Sequence, residues 1–347
     1  MRYVYQAAYK ALGISHPKGS EDVVLWQTAS PNRRLMLTNK IDDHFAILDR
    51  HAALTWMMLE GLVGKHESED FNSALEERIA KVRAKREPNG SPVLLFEAIG
   101  EIDADLNGPG REFDDFELRW DVFDKDHVRD LHAIEVSAGL AGIRLSAPDS
   151  CKFERLADGS YLKKEDNHII HSVSAKFGAA EVYVSKPFGK DAAEKSQQVI
   201  SSIVNNDGLG RVAELFAMSL ERKRDKFQSY VNAWAALEIL VGKIFRQYEK
   251  ALIERFSDVS SAPGLQGYLS RVTDVMNGRY TLVDRFSVIS IFLGGENSEN
   301  DLSTFKKCKE VRDNIFHGKL VKDEDLPLED VFSLLDGYLG AFLQRDT

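Results

Sequence analysis

The feature that most limits the fold is a change of hydrophobic period near Pro187. From Asp191 almost to the C-terminus, apolar residues recur at spacings of three and four, the mark of amphipathic helices. Phe332, Leu335, Leu339 and Phe342 share one face of the stretch 328–343. The spacing predicts helices over 192–204, 211–220, 224–256, 264–276, 281–293, the segment carrying Arg312, and 328–343. Helices in this order, joined by turns, pack as an up-and-down bundle. Upstream, residues 91–185 carry short strand-like runs broken by Asp-Gly and Asn turns. The fold class expected is α+β: a mixed N-terminal region with a small, mainly antiparallel sheet, then an all-helical bundle. The expected boundaries are 1–90 (helical with short strands), 91–187 (the sheet unit) and 191–347 (the bundle).

Residues 5–12 read as a short helix closed by Gly13, and residues 23–26 and the stretch around Leu35 and Leu37 as strands. Residues 42–63 read as a helix with Phe45, Leu48, Leu54, Met57 and Leu62 on a broad apolar face. Residues 67–86 follow as a charged helix, acidic early and basic late, the order that complements the helix dipole. In the second region, strands are expected over 92–98, 101–105, 141–145, 152–156, 161–164, 168–173 and 180–183, with 121–131 helical.

The formal charge of −10 over 347 residues argues against a broad basic face for duplex nucleic acid, while leaving room for a local basic cleft. No run approaches the ~18 uncharged apolar residues of a membrane-spanning helix. The N-terminus lacks the long apolar core and cleavage pattern of a secretory signal. Cys151 and Cys308, far apart in the chain, suit a reducing cytoplasm. The glycine spacings of phosphate-binding and dinucleotide loops are missing, as is a G-x-S-x-G elbow. No cofactor is expected.

Three groups have metal-ligand chemistry. His44 and His51 are seven apart and project to one side of a helix, without a third ligand at a suitable spacing. Glu101, Asp103 and Asp105 alternate along one strand face, with Asp114, Asp115 and Glu117 downstream; a solvent-facing strand has polar residues at the same period. His168 and His171 fall on opposite sides of a strand. No metal is assigned to any of them.

The stretch DLSTFKKCKEVRDNIFHGK, residues 301–319, concentrates the chemistry. Phe305, Cys308, Val311 and Ile315 define its buried face. Arg312 and His317 are five apart, about 140° around an ideal helix after one full turn. For the two to share a target the helix must end or distort near His317, which Gly318 permits. A guanidinium that holds phosphate and an imidazole that moves a proton suit phosphoryl transfer. A surface arginine and a helix-terminal histidine complementing the dipole produce the same spacing. Lys306, Lys307 and Lys309 are candidate phosphate contacts on the same helix. In 230–245, Glu238 sits four after Trp234 beside the apolar stripe, where a bidentate contact to Arg312 would fix the guanidinium.

Arg312, four intervening residues and His317, with the polar Asp313 directly after the arginine, resemble the R-x(4–6)-H signature of the HEPN superfamily. YVNAWAALEILVGKIF, residues 230–245, is similar to the first long helix of that family's Apea-like branch, where an aromatic and a Leu-Glu pair recur. The resemblance covers about 213–343. It implies a HEPN-like bundle that cleaves single-stranded RNA without metal, the 2′-hydroxyl attacking the adjacent phosphate. His317 would be the general base or acid and Arg312 the phosphate stabiliser, with Asp313 or Asn314 orienting the imidazole. It further implies a C2 homodimer through the bundle and a role as a toxin or defence effector. Residues 1–187 carry no recognisable module; sensing a trigger such as a regulatory protein or ligand, positioning RNA and restraining the nuclease are all open to them. Two other readings are a non-catalytic dimerisation scaffold and a metal-dependent hydrolase centred on Glu101, Asp103 and Asp105.

Overall fold

Strand β1 (Arg2–Leu12) decides the N-terminal architecture. The computed structural model describes residues 2–15, 22–29, 32–62, 70–84, 92–101, 131–147, 151–163, 169–176, 186–206, 208–221, 225–258 and 280–345. β1 pairs antiparallel on both sides, with β5 (Val93–Glu101) and with β6 (Lys152–Lys163). Strands β3 (Val23–Thr28), β4 (Asn32–Thr38) and β7 (Ile169–Lys176) complete a six-stranded sheet of order β3-β4-β5-β1-β6-β7. A small parallel pair joins β2 (Ile14–Ser15) to β8 (Lys186–Pro187).

The helix expected over 5–12 is therefore a central strand. Its alanines, lysine and leucine favour a helix locally. A strand covered on both faces shows no alternation to announce itself, and Tyr3 to Ala8 are all buried.

Helices α1 (Ile41–His44) and α2 (Ala46–Leu62) cover one face of the sheet. There Ile41, Phe45 and Leu48 pack with Val4, Ala8, Met36, Val93 and Leu95. Phe45 interrupts what the sequence presents as one helix over 42–63. Helix α3 (Phe71–Ala84) packs on α2 through Leu75 and Ile79 against Ala53 and Met57. Helix α4 (Ala133–Ser146) lies on the other face. A Cβ at Gly139 would come within 3.0 Å of Leu35, and one at Gly142 within 2.7 Å of Ile200 in helix α5 (Lys190–Val204). Ser196 Oγ donates to the Gly142 carbonyl at 3.0 Å, locking α5 onto α4.

Residues 141–145, expected as extended, lie inside α4. Residues Glu135 to Leu145 of that helix are buried all round, so no polar face exists to reveal a helical period. The turn expected at Asp158-Gly159 is absent, and β6 runs straight through. Asp158 is buried within the ladder and ion-paired to Arg155 at 2.7 Å.

The chain divides into two compact units, Met1–Ser201 and Ser202–Thr347. Because β1 lies between β5 and β6, residues 1–90 and 91–187 build a single sheet, and most of α5 belongs with it. The second unit is mostly helical: α6 (Gly210–Ser219), α7 (Lys226–Asp258), α8 (Leu282–Leu293), α9 (Ser298–Phe316) and α10 (Leu328–Arg345). Helix α7 is the axis, flanked by α6, α8 and α10, while α9 packs against α8 and α10. The helices expected over 121–131 and 264–276 and the strand over 180–183 fall wholly or almost wholly outside the described residues. Among the described residues no helix is long and apolar enough to cross a membrane.

His132, only 4% exposed, meets Tyr3 Oη through Nε2 at 3.0 Å and stacks on Tyr5. Burial, reinforced by the Arg33 guanidinium, holds its pKa down to about 4. An unfolded chain protonates this imidazole near pH ~6.5. Between those values the unfolded state binds the extra proton, so stability falls as pH drops from about 6.5 toward 4, by on the order of 3 kcal/mol at the full shift. Urea unfolding across that range should show a shallower pH slope for His132→Phe than for the parent; equal slopes would refute the assignment.

Candidate functional site

Helix α9 is anchored in the core at its middle, and its last two turns lie nearer the surface. Phe305 and Cys308 are fully buried, Val311 and Ile315 half-buried, and Phe316 is 66% exposed. Large side chains carry its contact with α7. Tyr230 Oη donates to the Cys308 carbonyl at 2.6 Å. The Trp234 ring lies 5.2 Å from Phe305, and Phe305 stacks on Phe286 at 4.0 Å. At the other end, Tyr338 Oη donates to Asp301 at 2.9 Å. These contacts set which α9 residues face α7 one and two turns later.

Arg312 is one of them. Its Nη2 donates to Glu238 Oε2 at 3.2 Å and its Nη1 to Asp313 Oδ1 at 3.0 Å. The guanidinium carbon sits 4.7 Å above the Phe316 ring, a cation–π contact. The expected bidentate Glu238 contact is a single one. The second arm of the guanidinium is turned to Asp313, and Oε2 also accepts from Trp234 Nε1 at 3.1 Å. Asp313 in turn takes Lys309 Nζ at 2.5 Å. That hydrogen bond, aided by Arg312, keeps the Asp313 carboxyl below its usual pKa. Glu238 and Arg312 line a small pocket of about 70 Å³ whose other walls are Tyr230, Val231, Trp234, Ala235, Ile315 and Phe316.

The helix ends where the sequence requires. His317 is the C-cap, and Gly318 has φ +75°. The Gly318 N–H donates to the Ile315 carbonyl and the Lys319 N–H to the Asn314 carbonyl, both at 2.9 Å. This paired closure is a Schellman motif, whose left-handed position favours glycine. His317 is exposed and outside the pocket lining. The idea that Asp313 or Asn314 orients its ring is not met within one chain. Asp313 is taken by Lys309 and Arg312, and Asn314 Oδ1 accepts from Lys319 Nζ at 2.9 Å.

The structure thus gathers Arg312, Glu238, Asp313 and Lys309, and leaves His317 apart. Lys306 and Lys307 stay exposed, whereas Lys309 is committed to Asp313. Trp234 and Phe316 are additions to the expected set. Their i,i+4 spacing to Glu238 and to Arg312 is the signal that marks them. No family model, curated protein or solved structure matches this chain.

The other candidates do not assemble. His44 Nε2 pairs with Asp22 Oδ2 at 2.9 Å, and the break at Phe45 separates its helix from that of His51. Glu101 is exposed and 4.0 Å from Arg2, while Asp103, Asp105, Asp114, Asp115, Glu117 and His168 lie outside the described residues. Among the described residues, no group of three or more His, Cys, Asp or Glu is placed to hold a metal ion.

Replacing Gly318 by alanine forces a Cβ into the left-handed region and should cost about 1 kcal/mol. Urea denaturation would read this as a lower midpoint at unchanged slope. An unshifted midpoint would mean that the helix end tolerates another closure.

Proposed function

We propose that the C-terminal unit is a HEPN-like, metal-independent endoribonuclease that cleaves single-stranded RNA as a homodimer. The observation that carries this reading is Arg312. It is a permanently charged group, 30% exposed, pinned at the wall of a pocket five residues before an exposed histidine at a helix end. Such a guanidinium can take a non-bridging phosphate oxygen and hold the charge that grows as phosphorus becomes five-coordinate. His317 withdraws the 2′-hydroxyl proton. The 2′-oxygen bonds to phosphorus, the P–O5′ bond breaks, and O5′ takes a proton to leave as a hydroxyl. The products are a 2′,3′-cyclic phosphate end and a 5′-hydroxyl end. The need for a 2′-hydroxyl selects RNA over DNA.

A second copy supplies what one chain lacks. His317 is flanked by Phe316 and by Leu320, which is fully exposed. An apolar rim of this kind gains by being covered. A two-fold contact here sets each His317 beside its mate and near both guanidinium groups. The closed charge cluster supports a second reading: with Glu238 and Asp313 already on Arg312, the bundle could serve as a dimerisation scaffold that never binds phosphate.

Incubation with single-stranded RNA in excess chelator separates the two. The parent should cut, leaving cyclic phosphate ends, and Arg312→Ala and His317→Ala should each lower the rate by about a hundredfold or more. An inert parent, or two variants as active as the parent, would leave the scaffold reading.

A further inference from the structure

The carboxylate that holds Arg312 is itself poorly placed to stay put. Glu238 is 39% exposed, and the terminal torsion of a glutamate is soft. A single ion-pair contact at this exposure is screened by water and contributes little. That is too little to confine two long side chains.

The missing constraint comes from the core. Trp234 is 2% exposed, and its Nε1 donates to the same Glu238 oxygen that accepts from Arg312. An indole N–H can only donate. Leaving it unpaired at this depth would forfeit its hydration with nothing in return, so the bond is enforced from the tryptophan side. The Trp234 ring cannot turn away, because Phe305 lies against it and is stacked on Phe286. Phe305 also belongs to α9, the helix of Arg312. The buried ring and the guanidinium are therefore referenced to one rigid element.

We propose that Trp234 is a positioning residue for Arg312, acting through Glu238. The indole N–H selects the carboxylate rotamer, and the carboxylate selects the direction of Nη2. Phe316 limits rotation from the ring side and Asp313 holds Nη1. One N–H on each terminal nitrogen is then left for an incoming anion. The phosphodiester as that anion rests on the ribonuclease reading; the coupling of the three side chains does not.

Side-chain NMR tests the coupling without any activity. Trp234→Phe, which keeps a ring and removes the N–H, identifies one of the four indole resonances. Arg312→Lys identifies the Arg312 Nε–H, an atom buried without a partner and so slow to exchange with water. In Trp234→Phe the sharp Arg312 signal should be lost or shifted as it is in Glu238→Ala, and the double variant should add nothing further. An Arg312 signal untouched by Trp234→Phe, or two effects that simply add, would overturn the proposal. Should Trp234→Phe fail to fold, Glu238→Gln serves: its weaker acceptor should move both the indole and the Arg312 resonances, and movement of the Arg312 resonance without the indole would count against the proposal. In single-stranded RNA cleavage, Trp234→Phe should lower kcat about tenfold or more with KM little changed. If the parent cuts no RNA while the resonances remain coupled, the ribonuclease reading fails and the positioning role stands.

Discussion

Helix α9 is held to α7 by aromatic side chains rather than by close backbone approach, and the placement of Arg312 against Glu238 follows from that. Tyr230 and Trp234 project from α7 and seat on Cys308 and Phe305 one turn apart. Once those contacts are made, the rotation of α9 is settled and Arg312 must face Glu238. Burying these rings supplies the stabilisation, each worth about 1.5–3 kcal/mol in a core. The partly exposed ion pair adds little to stability. Its importance is directional.

The charges near Arg312 alternate in sign: Lys309, Asp313, Arg312, Glu238. Such a cluster is neutral as a whole and holds its members in fixed directions. An anion approaching Arg312 meets a guanidinium already oriented, on a protein whose overall charge is −10. On the proposed ribonuclease reading, a phosphate would gain locally and be repelled at long range, so association should owe little to steering.

Legibility in the sequence followed exposure. In α9, Phe305 and Cys308 mark the core face, and Gly318 marks the helix end, because one face meets water and the other does not. The Glu238 partnership was legible for the same reason, since a carboxylate beside an apolar stripe needs a cation nearby. β1 and α4 carry no such signal because both are covered on all sides. Covered elements lose the alternation that separates a strand from a helix, and local propensity then points the wrong way. The placement of His317 outside the pocket could not be read from spacing, because it depends on the Schellman closure that turns the chain after Phe316.

The proposed ribonuclease site needs a second chain to bring its histidine to the first. Both native cysteines are fully buried, and burial pushes each thiol up to about 12. A spin label on His317→Cys would therefore report that position alone. Dipolar spectroscopy on the labelled full chain is the most direct test. A single short inter-label distance would place the two 317 positions face to face across a two-fold axis. Absence of dipolar coupling, or one long distance, would contradict the shared site.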